Sequence, residues 1–196
     1  MANSLQDVVD AALTVLDTHG LEFLSMRRVA AALDVQPSAL YHHVPNKQTL
    51  LALMADEILA RGRRDEPAGS WDERAKALCH EFRSAMLAVR DGAEVVATAS
   101  AFGLGAREPE ERLVAALEDF DDDVAVSGAR TIMLFVLGHA SARQMHEQAS
   151  ATGAIARDDS IGSAASFDLG LGLILSGLRN VSPVAARAPR LSASSR

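Results

Sequence analysis

The 196-residue chain has a single cysteine, Cys79, so no disulfide can form within it. A lone thiol suits a reducing cytoplasm and reads here as a small apolar side chain in a helix. The first twenty positions lack any basic residue and carry Asp7, Asp10 and Asp17, the wrong charge for a secretory leader. No uninterrupted apolar run approaches the roughly 20 residues that cross a bilayer. The expectation is a soluble cytoplasmic protein with no membrane partner. Excess positive charge is missing as well: the formal net charge is −7, so no overall field draws the molecule to nucleic acid. There is no nucleophile elbow, phosphate loop, pair of catalytic carboxylates or zinc-ligand spacing, so neither an enzyme nor a cofactor or metal is expected. Nor does any segment alternate with period two, which leaves an all-α fold.

What is present is helical periodicity and a local change of charge. Residues 25–64 carry six basic against three acidic residues, whereas residues 65–196 carry thirteen against nineteen. Any DNA contact must therefore lie near the front. Leu5, Val8, Val9, Ala12, Leu13 and Leu16 recur every three or four positions, predicting a helix that Gly20 ends. Ser25 stands as the N-cap of a short helix over Met26 to Leu33. Asp34, Val35 and Gln36 form a turn, and Pro37 opens a third helix reaching His43. Asn46 caps a fourth, with Leu50, Leu51, Met54, Ile58 and Leu59 as its buried stripe. The stretch from Asp65 to Gly69 reads as a link. Ser70 and Glu73 make a capping box for a helix from Trp71 to about Val89. Further helices are expected over about 93–99, 109–120, 124–149 and 164–178, with a disordered tail after Val181. The domain boundaries are 1–64, 65–181 and 182–196.

Two short helices joined by a tight turn, between Ser25 and His43, make a helix-turn-helix. The second must enter a major groove about 12 Å wide, so its leading residues must be slim. Gln36, Pro37, Ser38 and Ala39 meet that need and offer an amide, a hydroxyl and a methyl to base edges. Tyr41, His42 and His43 carry O–H and N–H groups suited to phosphate oxygens. Lys47, in the first turn of the fourth helix, can hold another phosphate with the helix amides, and Arg27 and Arg28 can clamp the backbone opposite. Simpler readings exist for several of these. Tyr41 also suits packing between helices, adjacent His42 and His43 diverge by about 100° on a helix and so make a poor metal pair, and the run Arg61 to Arg64 reads as a solvated helix end.

At these residues the sequence resembles the TetR family of repressors. The stretch SMRRVAAALDVQPSALYHHVPNKQTLLALMADEIL is similar to that family's DNA-binding domain. The SWDE helix start, the VRDGAEV break, the LGH of the long helix and the GLGLILSGL ending resemble the ligand-binding domain of its tetracycline repressor subgroup. The resemblance implies a dimer on palindromic double-stranded operator DNA, released by a small effector. It places Arg27, Gln36, Pro37, Ser38, Ala39, Tyr41, His43 and Lys47 against DNA; His42 stands where the subgroup has tryptophan. The subgroup holds its drug and magnesium through residues matching Arg63, Leu78 and Val96 here. Leu78 and Val96 offer no donor to a hard cation, so a magnesium-tetracycline inducer is not expected.

On the same resemblance an apolar pocket is expected from Phe82, Met86, Val96, Leu113, Leu117, Thr131 and Leu134, with His139 and Glu147 as polar anchors. Such a lining suits a small hydrophobic effector. Each apolar member also reads as plain core, and a filled pocket would leave a ligand-independent or activating regulator. The run Gly170 to Leu175 superficially matches a dinucleotide fingerprint, but no strand precedes it. Small residues that let helices pack closely, in a homodimer's four-helix bundle, explain it better.

Overall fold

A computed structural model describes residues 4–181; the tail expected after Val181 lies outside the described residues. Among the described residues there are nine α-helices and no strand, as the periodicity predicts. Helix α1 (Leu5–His19) starts at a capping box in which Ser4 and Asp7 satisfy each other's backbone amides. Its inner stripe holds Val8, Val9, Ala12, Leu13 and Leu16 as expected, but Leu5 is exposed in the first turn and Val15 joins the buried face. Gly20 then turns the chain with φ +85°, a region that L side chains avoid, and a Cβ there would meet Arg90 Nη2 and Asp91 Oδ2 at 3.1 Å. A 3₁₀ turn over Leu21–Phe23, which the sequence reading did not contain, carries the chain to Ser25.

Ser25 caps α2 (Met26–Ala32) by accepting the Arg28 amide. Asp34 closes it in the left-handed region, φ +54°, while Val35 and Asp34 donate back to the carbonyls of Ala30 and Ala31. Helix α3 (Pro37–Leu40) is shorter than the expected span to His43. The amides of His43 and Val44 both donate to the Leu40 carbonyl, so Tyr41 to His43 form a turn. Pro45 supplies the reason, since the residue before a proline is driven out of the helical region. Asn46 then caps α4 (Lys47–Arg61) through the Thr49 amide at 2.8 Å.

Helix α4 joins the two halves. It packs on α1 on one side and on α6 (Gly92–Ala101) and α5 (Trp71–Leu87) on the other. The approach is close: a Cβ on Gly62 would lie 2.4 Å from that of Ala85, and Asp56 accepts the Ala106 amide at 2.7 Å. Helices α7 (Glu108–Ala116), α8 (Asp122–Ala151) and α9 (Ala164–Arg179) complete the bundle. One hydrophobic cluster runs without a break from Val8 to Leu175. By length and hydropathy α8 matches a membrane span. Its inner face, however, buries Ala125, Ala129, Ile132, Met133, Val136 and Ala140 against α5, α6, α7 and α9, the position of a core helix.

Cys79 is fully buried in this cluster, and desolvation pushes its thiol up to about 12. Because the thiolate is the reactive species, Ellman's reagent at pH 8 should leave the folded protein unlabelled and react stoichiometrically only after denaturant is added. Labelling of the native protein within minutes would place this thiol outside the core.

Candidate nucleic-acid interface and effector site

The helix-turn-helix presents its sequence-predicted residues outward. Arg27, Arg28, Gln36, Ser38, Ala39, His42 and His43 are exposed, and Pro37 and Lys47 are half-buried. Tyr41 is 52% exposed, which leaves its ring and hydroxyl open and rules out a pure packing role. Beneath them Val29, Ala30, Leu40 and Val44 are buried, so the face rests on a fixed base. Arg28 also lies over the Phe23 ring, 5.3 Å from its centroid. The basic run at the end of α4 has structural partners: Arg61 pairs with Asp10 and Glu57, and Arg63 with Glu66 and Glu108.

The nine residues expected to line one apolar pocket are not brought together. Phe82, Met86, Val96, Leu113 and Leu117 sit in the closed core, filled by one another's side chains. Thr131 and Leu134 point the other way, Leu134 being 72% exposed. The reason is the phase of α8: Ile132, Met133 and Val136 take the inner face, which turns residues 131 and 134 out. Glu147 is exposed and bonded to Arg143 one turn away, at 2.5 Å. His139 accepts from Arg83 Nε at 3.4 Å and faces Ser166 Oγ at 3.1 Å, while its ring meets Phe167 edge-on. Burial, and after it the Arg83 charge, lower its pKa, so it is a neutral contact that docks α9.

Open space lies elsewhere. A cavity of about 580 Å³ opens between the chain leaving α4, α5 and α7, with Pro67, Leu78, Ala115 and Ala116 as its apolar wall and Arg63, Arg74 and Arg112 facing Glu66, Glu108, Glu111 and Glu118 as its charges. Arg63 and Leu78, two of the three positions matching the subgroup's drug ligands, line it. Leu78 and Val96 are buried carbon side chains, so the residues do not fit magnesium.

Two polar groups here escaped the sequence reading. Glu81 is buried, accepts the Arg64 amide at 3.1 Å and pairs with Arg112. Burial works against the Arg112 charge, but the hydrogen bond to Glu81 and the nearby Glu66 and Glu108 outweigh it and raise its pKa. Glu81 falls three residues after Leu78 on the inner stripe of α5, a legible sign of a buried charge. The second is Asp91, which accepts the Leu21 amide at 2.7 Å and pairs with Gln148, tying the N-terminal half to α6 and α8.

Comparison with known proteins agrees with this geometry. The family model for bacterial regulatory proteins of the tetR family matches residues 8–54, and that for a tetracyclin repressor-like C-terminal domain matches residues 64–159. The Escherichia coli class E tetracycline repressor is 41% identical over 95 residues, which span 47% of this chain and only 45% of that protein. The class A repressor from transposon 1721, also of Escherichia coli, is 32% identical over 190 residues, 87% of this chain and 88% of that one. Mycobacterium smegmatis BioQ superposes with a TM-score of 0.85 at 38% identity, covering 92% of this chain and 99% of its own. A BioQ structure with its natural double-stranded DNA operator gives 0.76 at 36% identity, over 91% and 99%. Since both halves match in order and the likeness runs nearly the full length of a solved relative, the chain belongs to the TetR family of bacterial regulatory proteins.

Proposed function

We propose that this protein is a dimeric transcriptional repressor that grips a pseudo-palindromic operator in the bacterial cytoplasm and lets go when a small molecule enters its C-terminal half. The exposed, slim face of Gln36, Ser38 and Ala39, flanked by Tyr41, His42, His43 and Lys47, carries this reading. A partner copy would seat on the outer faces of α8 and α9, where Leu134, Leu169 and Leu173 are each more than two-thirds exposed. Gly138 and Gly172 on those helices have open space before them, which lets another backbone come close. Two recognition helices about 34 Å apart would then enter successive major grooves. The relative solved on its operator supports DNA as the partner.

The cavity supports sensing over a ligand-independent regulator, because a ligand there touches Arg63, Glu66 and Pro67 in the segment that leaves α4, the helix joining the two halves. Its apolar wall and charged rim suit an amphipathic molecule better than a purely hydrophobic one. The effector acts through its different affinity for the DNA-bound and released forms.

Fluorescence anisotropy with the duplex flanking its own gene tests the assignment. Lys47→Ala should weaken binding to every duplex and reduce the salt slope by about one, whereas Gln36 and Ser38 substitutions should change sequence preference. A wild-type protein with no preference for any duplex over random competitor would overturn the assignment.

A further inference from the structure

Among the described residues that line the cavity, Arg112 is the most enclosed cation, its side chain only 11% exposed. The guanidinium lies over the Phe82 ring, 5.5 Å from its centroid, and gives Nη1 to buried Glu81. Its other edge, Nε and Nη2, is buried and makes no hydrogen bond. Glu66 Oε1 lies 3.2 Å from Nε, close enough for charge attraction but out of line for a bond. Glu66 belongs to the chain between α4 and α5, with a side chain 64% exposed and a second loose pairing to Arg63 at 3.5 Å. A buried donor left unbonded is costly, and the Nε and Nη2 pair of a guanidinium matches the two oxygens of a carboxylate.

We propose that this edge of Arg112 anchors the effector, which is an amphipathic carboxylic acid whose carboxylate displaces Glu66 and whose apolar body lies on Leu78, Ala115 and Ala116. The inference rests on the effector reading above and names the ligand's class. Neighbouring glutamates do not forbid it, since the position already holds a carboxylate. Alignment is what the ligand adds: Glu66 reaches one nitrogen askew, whereas a free carboxylate can take both. Glu66 also pairs loosely with Arg63 at the exit of α4, so displacing it changes the charge balance of that segment. An acid entering here thereby acts on the segment that carries the DNA-binding half.

The probe is octanoate, with octanol as its uncharged counterpart, titrated into the full-length protein by calorimetry. Octanoate should bind saturably at one per chain, and octanol at least about tenfold more weakly, as expected for loss of a charge-assisted hydrogen-bonded pair. Glu66→Gln, which removes the competing carboxylate, should tighten octanoate severalfold and leave octanol unchanged. Arg112→Lys keeps a charge beside Glu81 but has no fork, and should weaken octanoate about tenfold. Equal binding of octanoate and octanol, an unchanged affinity in Glu66→Gln, or no saturable octanoate binding would each overturn the proposal. Operator binding measured on the same samples reports separately on the repressor reading.

Discussion

Leu173→Arg should yield a folded monomer whose operator affinity has fallen by roughly two to four orders of magnitude, the range by which linking two binding modules strengthens attachment. The substituted side chain is 68% exposed on α9, so within one chain an arginine there meets water and displaces nothing. In the dimer it is different. Symmetry brings the same face of each copy together, so one substitution places two like charges in an apolar seam without partners. Leu134→Asp, on the facing helix, should act the same way, and its position on the outer face is why it cannot also line an internal pocket. Light scattering gives the mass, circular dichroism the helix content, and anisotropy the operator affinity. A Leu173→Arg protein that stays dimeric with unchanged operator affinity would show that α8 and α9 do not form the interface.

The N-terminal half was legible because its signals are local. Ser25 and Asn46 are caps whose partners lie three residues away, and Gly20, Asp34 and Pro45 fix where helices stop. Two features there differ: α3 stops at Leu40, short of His43 and ahead of Pro45, and the three-residue 3₁₀ turn over Leu21–Phe23 is too short to leave a periodic signal. The proposed effector site was less legible because it depends on phase and on distant pairs. A thirty-residue helix such as α8 carries two apolar faces, one for the core and one for a partner, and composition alone does not say which holds Leu134. Arg112 and Glu81 are 31 residues apart, and nothing local joins them. Glycine shows the same division: Gly170 was readable as a site of close packing, but that its neighbour is Phe135, 2.7 Å from a Cβ placed there, belongs to tertiary structure.

Asp91 offers the sharpest test of how the halves are joined. It sits at the start of α6 with φ +56°, and its carboxylate receives the Leu21 amide at 2.7 Å on one oxygen and the Gln148 amide on the other. Its neighbour Arg90 reinforces the junction, donating its backbone amide to Asp17 and its guanidinium to the Thr18 carbonyl. Asp91→Ala removes both acceptors and leaves a Cβ residue without the polar side chain that eases a left-handed conformation. With a hydrogen bond to a charged group at about 1.5–3 kcal/mol, the loss should be about 2–4 kcal/mol of unfolding free energy. Asp91→Asn should cost far less. Asparagine tolerates the same backbone and keeps Oδ1 for Leu21, while Gln148 can turn its amide to accept from the new NH₂. Chemical denaturation gives the stabilities, and hydrogen exchange at the Leu21 amide should speed up in Asp91→Ala but hold in Asp91→Asn. If both variants lose stability equally, charge and not hydrogen-bond geometry holds the junction. If neither loses any, α4 and the Arg90 contacts join the N-terminal half to the C-terminal half without help from Asp91.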